Sequence, residues 1–260
     1  MDGKVSLYEA AENGDLESIK RLLEQGANLH LDQDLVLRLA AGKGQLEVVK
    51  YLLEQGAGLR AVNDVAFGWA AGNGQLEVVK YLLEQGADLH IHDDHAFRYA
   101  AENGYLEVAK YLLERGADLH ADNEGALRRA AGNGHLKVVE YLVERGANLH
   151  AYDDWVLQRA AENGHLEVVK YLLERGADSD RLSEKILIEV FTSYDLQIEK
   201  ITPRLSSLLL KIDLLNKSCK VLTRNKMLSS YRKQILSSLV ILMYRLYYRP
   251  SGPGFFQAIE

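Results

Sequence analysis

Histidine and carboxylate side chains are the residues whose types and spacing could bind a metal ion or move a proton in this chain. The densest group is His90-Ile91-His92-Asp93-Asp94-His95, and histidines recur every 30 residues at His30, His90, His120 and His150. Two nitrogens on one zinc ion lie within about 4 Å, whereas neighbouring packed helices are about 8–10 Å apart. The recurring histidines therefore cannot share a metal ion. The members of the dense group are consecutive in one short turn, so we expect neither a metal site nor a cofactor there.

The chain also lacks the short motifs with which enzymes bind phosphate or activate a nucleophile. It contains no G-x-x-x-x-G-K-[ST], no G-x-S-x-G, no H-E-x-x-H and no C-x-x-C. Its single cysteine, Cys219, excludes a disulfide framework and a cysteine-rich zinc site. We therefore expect a non-catalytic protein with no small-molecule substrate.

Six copies of a 30-residue repeat position these side chains. The segment ENGHLEVVKYLLERGAD at residues 162–178 returns as GNGHLKVVEYLVERGAN at residues 132–148, and four related segments precede it at the same step. We number the repeats 1–30, 31–60 and so on to 151–180. A fixed period of this length is the signature of a solenoid or an array.

The later helix of each repeat is predicted from apolar periodicity. In the second repeat, Leu46, Val49 and Leu52 recur at helical spacing along one side. Gly56 ends this helix, because glycine adopts a left-handed backbone without steric cost. Gly44 lets the chain reverse into it from the helix before.

The earlier helix of each repeat is shorter and is predicted over residues 36–41 of the second repeat. Leu37, Ala40 and Ala41 share one side of it, and the small alanines let neighbouring helices approach closely. Asp34 stands just before this helix, where an aspartate commonly accepts hydrogen bonds from the free helical amides. We predict the same capping role for Asp64, Asp94, Glu124 and Asp154.

This pattern resembles the ankyrin repeat. The string A-A-x-x-G-H-L-E-V-V-x-Y-L-L-x-x-G-A-D, which ends here at Asp178, recurs in all six repeats with few changes. Ankyrin repeats usually have 33 residues and carry T-P-L-H at the start of the first helix, whereas this repeat is shorter and lacks the Thr, Pro and His. The resemblance implies an all-α ankyrin solenoid of six helix pairs with short fingers between them. The 30-residue form is similar to ankyrin proteins of giant DNA viruses of amoebae over residues 1–180.

Positions that differ from repeat to repeat are free to specify a binding partner, whereas constant positions maintain the stack. The variable positions lie on the first helix and on the turn before it, which border the extended concave surface of such arrays. Aromatic and arginine side chains dominate the binding energy of protein interfaces. We predict that the partner-binding residues are Leu39, Trp69, Arg98, Tyr99, Arg128, Arg129, Tyr152, Trp155 and Arg159.

A structural interpretation of the same residues stays open. Trp69 and Tyr99 could cover neighbouring repeats. The arginine column formed by Arg38, Arg98 and Arg128 could bridge to the capping carboxylates.

The repeat ends at residue 180, and the charge balance changes sign there. Residues 1–180 carry 18 Lys and Arg against 31 Asp and Glu, whereas residues 181–260 carry 13 against 6. We predict an array at 1–180, a helical capping region at 181–248 that covers the last repeat, and a non-helical tail at 249–260. The alternative is a recruitment module, because residues 186–191 have a faint likeness to the opening of an F-box.

The partner expected from these features is another protein rather than nucleic acid, because the basic residues of 181–260 are spread over its predicted helices instead of forming one block. The N-terminal residues do not form a secretory signal, and the most apolar run, residues 235–244, is too short to span a bilayer. We therefore expect an intracellular, cytoplasmic monomer that acts as a non-catalytic protein-binding scaffold. The alternative functions are an adaptor that recruits a host ubiquitin ligase and a structural or virion-associated protein.

Overall fold

The computed structural model describes residues 6–32, 34–58, 65–178, 182, 183 and 186. Within these residues the chain is all-α, and the solenoid of helix pairs expected from the repeat is confirmed. The described helices are α1 Leu7–Asn13, α2 Leu16–Glu24, α3 Leu35–Gly42, α4 Leu46–Glu54, α5 Val65–Gly72, α6 Leu76–Glu84, α7 Ile91–Glu102, α8 Leu106–Glu114, α9 Ala121–Gly132, α10 Leu136–Glu144, α11 Ala151–Glu162 and α12 Leu166–Glu174.

The chain divides into two compact units, residues 1–156 and 157–260. In the first unit, the first helices α1, α3, α5, α7 and α9 pack against one another in chain order. The second helices α4, α6, α8 and α10 do the same, and each first helix also packs against the second helix that follows it. The second unit contains the end of α11 and all of α12.

Glycine makes the two chain reversals of each repeat. Gly56, with φ of 92°, donates its amide hydrogen to the Leu53 carbonyl at 3.0 Å, and Ala57 donates to the Leu52 carbonyl at 2.9 Å. This pair of bonds is the Schellman motif, which satisfies carbonyl groups that the end of a helix leaves unpaired. Gly44, with φ of 77°, closes α3 in the same way, so both predicted glycine roles are confirmed.

The core of each repeat contains the side chains that the period predicted. Leu37, Ala40, Ala41 and Leu52 are fully buried. A leucine buried in this way contributes about 1.5–3 kcal/mol relative to an exposed one. Because the same positions recur in every repeat, each helix pair adds to a core that continues through the first unit.

The predicted capping region at 181–248 and tail at 249–260 lie outside the described residues, apart from Leu182, Ser183 and Ile186. Asp64, a predicted cap, also lies outside them. The boundary at residue 180 stays a prediction. In the described part of the chain, no helix is long and apolar enough to cross a bilayer.

Candidate interaction surface

The turn at the start of a first helix has an uncommon backbone, which interrupts α7 after Ile91 and α9 after Ala121. In the fourth repeat, His92, Asp93 and Asp94 have φ values of 51°, 56° and 55°, and residues 122–124 of the fifth repeat have values of 51°, 49° and 62°. Left-handed backbone costs an L-amino acid roughly 1–2 kcal/mol per residue. Three such residues in succession therefore need interactions that hold the turn in place.

Arg98 supplies these interactions in the fourth repeat. Its Nε donates to the Asp93 carbonyl at 2.8 Å and its Nη2 to the His92 carbonyl at 2.5 Å, both within the left-handed turn. Its Nη1 donates to a carboxylate oxygen of Asp122, in the turn of the next repeat, at 2.7 Å. Arg98 is only 8% exposed. Its guanidinium group thus joins two consecutive turns and presents little surface to a partner.

Two other members of the arginine column also bind their own turns, Arg128 with two hydrogen bonds and Arg38 with one. Arg128 donates from Nε to the Asn123 carbonyl at 2.9 Å and from Nη2 to the Asp122 carbonyl at 2.7 Å. Arg38 donates from Nη2 to the Asp32 carbonyl at 2.6 Å. The three arginines therefore share a role in holding the turns.

The prediction that Asp34 caps the first helix is wrong. Its side chain accepts no hydrogen bond from a helical amide. Instead, one carboxylate oxygen lies 2.8 Å from Nδ1 of His30, and the other accepts the amide hydrogen of Gly58 at 3.2 Å. Asp34 has φ of 55°, whereas a capping residue commonly has extended backbone, and this difference redirects its side chain.

The recurring histidines belong to this carboxylate arrangement. Nδ1 of His90 lies 2.8 Å from the carboxylate of Asp94, which is 2% exposed and also accepts the amide hydrogen of Asp118 at 2.7 Å. In the next repeat, Nδ1 of His120 lies 2.5 Å from Glu124. The hydrogen bond to Glu124 raises the pKa of His120 above its usual value. Each buried carboxylate thus pairs with the histidine four residues before it.

The dense group at residues 90–95 directs its side chains to different partners. Asp94 pairs with His90, while the ring of His95 stacks on Tyr99 with centroids 4.9 Å apart and ring planes 27° apart. Among the described residues, no three His, Cys, Asp or Glu side chains are placed to hold a metal ion.

Trp69 and Tyr99 lie half-buried above glycines of the preceding first helices. A Cβ atom at Gly42 would lie 3.4 Å from Cε3 of Trp69, and a Cβ at Gly72 would collide with the Tyr99 ring. Both aromatic side chains therefore cover a neighbouring repeat and keep part of their surface in solvent.

Among the predicted contact residues that the structure describes in the first compact unit, Arg129 and Trp155 are the more exposed. Arg129 has a side chain 40% exposed and donates to Glu102 at 2.6 Å. Trp155 is 37% exposed, and the guanidinium carbon of Arg128 lies 5.5 Å from its ring centroid. In the second compact unit, Arg159 has a side chain 48% exposed. Of the other predicted contact residues, Leu39 is half-buried, and the side chain of Tyr152 lies outside the described part of the structure.

A cavity of about 170 Å³ opens between α5 and α7. Its walls include Val65, Gly68, Trp69, Ile91, His95 and Tyr99. Burial lowers the pKa of His95 below its usual value, and the nearby charges of Arg98 and Arg129 lower it further. The imidazole is therefore held in its neutral form in a wall that is largely aromatic and aliphatic.

A family model described as ankyrin repeats, in three copies, matches residues 7–93 and 97–182. The chain belongs to the ankyrin repeat family. One solved structure similar to this ankyrin chain is the human ASB11 ankyrin repeat domain, with 26% sequence identity and a TM-score of 0.60. That match covers 70% of this chain and 89% of the human domain. No curated protein matches the chain.

Ankyrin repeats are generally protein-binding scaffolds, and the family is typically non-catalytic. In this array the structure separates the predicted contact residues into two groups. Arg98 and Arg128 bind the ankyrin turns, whereas Trp69, Tyr99, Arg129 and Trp155 present surface to solvent. The binding role of each stays a prediction.

The cavity is a feature of this ankyrin array that was not predicted. Gly68 occupies the position that is Arg38, Arg98, Arg128 or Gln158 in other repeats. This interruption of the column is the sequence signal that points to the cavity. The contribution of Ile91 to its wall has no comparable signal.

Proposed function

We propose that the protein is a non-catalytic ankyrin scaffold that binds a protein partner through its first-helix surface. We use this name for the outward side chains of α3, α5, α7 and α9, the turns at or just before the start of α3, α7 and α9, and Trp155, which follows the equivalent turn in α11. The observation that supports the proposal is the contrast between constant and variable positions. Core side chains such as Ala40 and Leu52 recur in every repeat, whereas Leu39, Trp69, Tyr99 and Arg129 occupy one equivalent, solvent-accessible position.

Within this proposal the predicted residues divide by exposure. Trp155 and Arg129 combine a large contact area with solvent access, which favours direct contact with the partner. Trp69, Tyr99 and Leu39 contribute the exposed part of half-buried side chains. Arg98 and Arg128 position the turns. Tyr152 and Arg159 remain contact residues by sequence equivalence alone.

The proposed capping role of residues 181–248 is supported by α12. Lys170, Tyr171 and Leu173 are buried there, whereas the equivalent Lys50, Tyr51 and Leu53 of α4 are half-exposed. If no further segment covered α12, its side chains would be more exposed than the equivalent side chains of α4. We further propose a monomer that acts inside a cell, in line with the resemblance to ankyrin proteins of giant DNA viruses.

Site-specific photocrosslinking tests the binding surface. A photoreactive phenylalanine replaces Trp155 or Leu39 on the first-helix surface. In the control it replaces Gln85, an exposed residue at the end of α6. In lysate of the producing cells, we expect the photoreactive residue at position 155 and the one at position 39 to crosslink the same protein. The photoreactive residue at position 85 should not crosslink that protein. Equal crosslinking from Gln85 would refute the proposed surface. Additional crosslinks to ubiquitin-ligase subunits that require residues 181–260 would identify an adaptor.

A further inference from the structure

The cavity between α5 and α7 lies where a glycine interrupts the arginine column. Arg38, Arg98 and Arg128 occupy this position in three other repeats, and the third repeat has Gly68. A Cβ atom at Gly68 would lie 3.3 Å from Nδ1 of His95. A long side chain at residue 68 would therefore take up space that now belongs to the cavity.

The dimensions and walls of the cavity fit one aromatic ring. Its volume of about 170 Å³ is similar to that of an engineered protein cavity of about 150 Å³ that binds benzene. Trp69, Tyr99 and the neutral imidazole of His95 offer ring faces and edges, and Val65 and Ile91 add aliphatic surface. Aromatic pairs with ring centroids 4.5–7 Å apart gain energy beyond the area that they bury.

Arg38 carries a positive charge against Trp69, which forms one wall of this cavity. The guanidinium carbon of Arg38 is 5.7 Å from the ring centroid of Trp69, which lines the cavity. No carboxylate of the described residues forms an ion pair with Arg38, whereas Arg98 lies 2.7 Å from Asp122. The position equivalent to Asp122 in the third repeat is Val62, which cannot pair with a cation.

The two arginines that act on the His95 ring are each paired with a carboxylate. Arg98 lies 2.7 Å from Asp122, and Arg129 lies 2.6 Å from Glu102. Within the described part of the chain, no carboxylate lines the cavity. Arg38, which forms no ion pair with a described carboxylate and lies against Trp69, is therefore the group that favours a ligand with negative charge next to its ring.

We propose that this cavity binds an aromatic side chain from an acidic segment of the protein partner. The ring lies against Trp69, His95 and Tyr99, and a neighbouring Asp or Glu of the partner pairs with Arg38. This assignment depends on the proposed scaffold function and specifies the chemistry of the partner at one point of the first-helix surface.

Short peptides test this specificity on the full-length chain. The probes are Ac-Asp-Phe-Asp-NH2, Ac-Lys-Phe-Lys-NH2 and Ac-Asp-Ala-Asp-NH2. They are titrated while the indole N–H signals of the two tryptophans are followed by NMR, and replacement of Trp155 by Phe assigns the signal of Trp69. We expect saturable shifts at Trp69 with the Asp-Phe-Asp peptide. Loss of the buried ring should weaken binding at least tenfold, and reversal of the peptide charge should weaken it about two- to fivefold.

Variants that use residue types from the array itself identify the site. Gly68→Arg introduces the residue of three other repeats and should reduce binding of the Asp-Phe-Asp peptide at least tenfold. Ile91→Ala, the residue type of Ala121, should weaken binding of both Phe peptides without adding a bulky group. Arg38→Gln should remove the preference for acidic over basic peptides. Gln85→Arg, the residue type of Arg115, adds the same charge at the end of α6 and should change nothing.

Circular dichroism and thermal melting establish that each variant is folded. If Gly68→Arg lowers the melting temperature, the peptide affinity of Ile91→Ala is used instead to test the cavity. Equal shifts from the Phe and Ala peptides, or undiminished binding in folded variants of both Gly68 and Ile91, would overturn the cavity assignment. The photocrosslinking at Trp155 and Leu39 is independent of these peptides. A shared crosslinked protein together with inert peptides would therefore refute the cavity alone and leave the scaffold function standing.

Discussion

Replacement of Arg98 by Ala should destabilise the array although the residue is near the proposed binding surface. The guanidinium group makes two hydrogen bonds to carbonyls of the left-handed turn, at 2.8 and 2.5 Å. A hydrogen bond that involves a charged group contributes about 1.5–3 kcal/mol. The ion pair with the partly exposed Asp122 adds at most about 1 kcal/mol. Taking the lower bound for each hydrogen bond, we expect a loss of about 3 kcal/mol in the free energy of unfolding.

Urea unfolding followed by circular dichroism measures this loss, and amide hydrogen exchange locates it. The Asp118 amide is the local probe, because it donates to Asp94, which lies in the turn that Arg98 holds. Its exchange should accelerate in Arg98→Ala. Arg98→Lys keeps the charge without the forked geometry and should lose an intermediate amount. Arg159→Ala is the matched exposed control and should change stability by less than about 0.5 kcal/mol. A change of that small size in Arg98→Ala would refute the assigned role.

Three further predictions concern packing, titration and the C-terminal region. Gly72→Ala should lower the free energy of unfolding, measured by thermal melting, by about 1–3 kcal/mol, because the added Cβ collides with an aromatic ring. In Gly42→Ala the added Cβ makes only an ordinary van der Waals contact, so the free energy of unfolding should rise by up to about 1 kcal/mol. Equal changes in stability in the Gly42 and Gly72 variants would contradict the packing described. In NMR titration, His120 should titrate above its usual pKa of 6.5 and His95 below it. The contribution of His120 to stability is thus complete below pH 6.5 and lost as pH rises through the folded pKa. The contribution of His95 is complete above pH 6.5 and lost as pH falls towards the folded pKa. Deletion of 181–260 should cause aggregation, and a soluble, folded fragment would count against the cap.

The helices and their cores follow directly from the repeating sequence. Gly44 and Gly56 determine where each helix ends, because their left-handed backbone is unfavourable for other residues. Ala40 and Leu52 recur with the period, the position of Leu37 is Leu or Phe, and all three residues are buried as predicted. Local propensity and tertiary packing agree at these positions, so the sequence alone is sufficient to predict the helices and their buried side chains.

The turns and the cavity could not be predicted in this way. An aspartate before a helix commonly caps it, and nothing local in the sequence shows that Asp34 and Asp94 have left-handed backbone and pair with histidines instead. The cavity depends on Gly68 in one repeat and Ile91 in the next. Its existence is therefore a property of contacts between repeats, which a residue-by-residue pattern does not contain.

Capture of the crosslinked partner by a Trp69→Ala/Tyr99→Ala variant tests the scaffold function most directly. Both side chains lie on the first-helix surface, and each keeps only part of its area buried. We predict that partner capture falls at least tenfold while the variant keeps its helical circular dichroism and a cooperative melting transition, which is lowered because both rings pack over a neighbouring repeat. Undiminished capture by the folded variant would contradict the account, because the partner would then bind elsewhere on the chain.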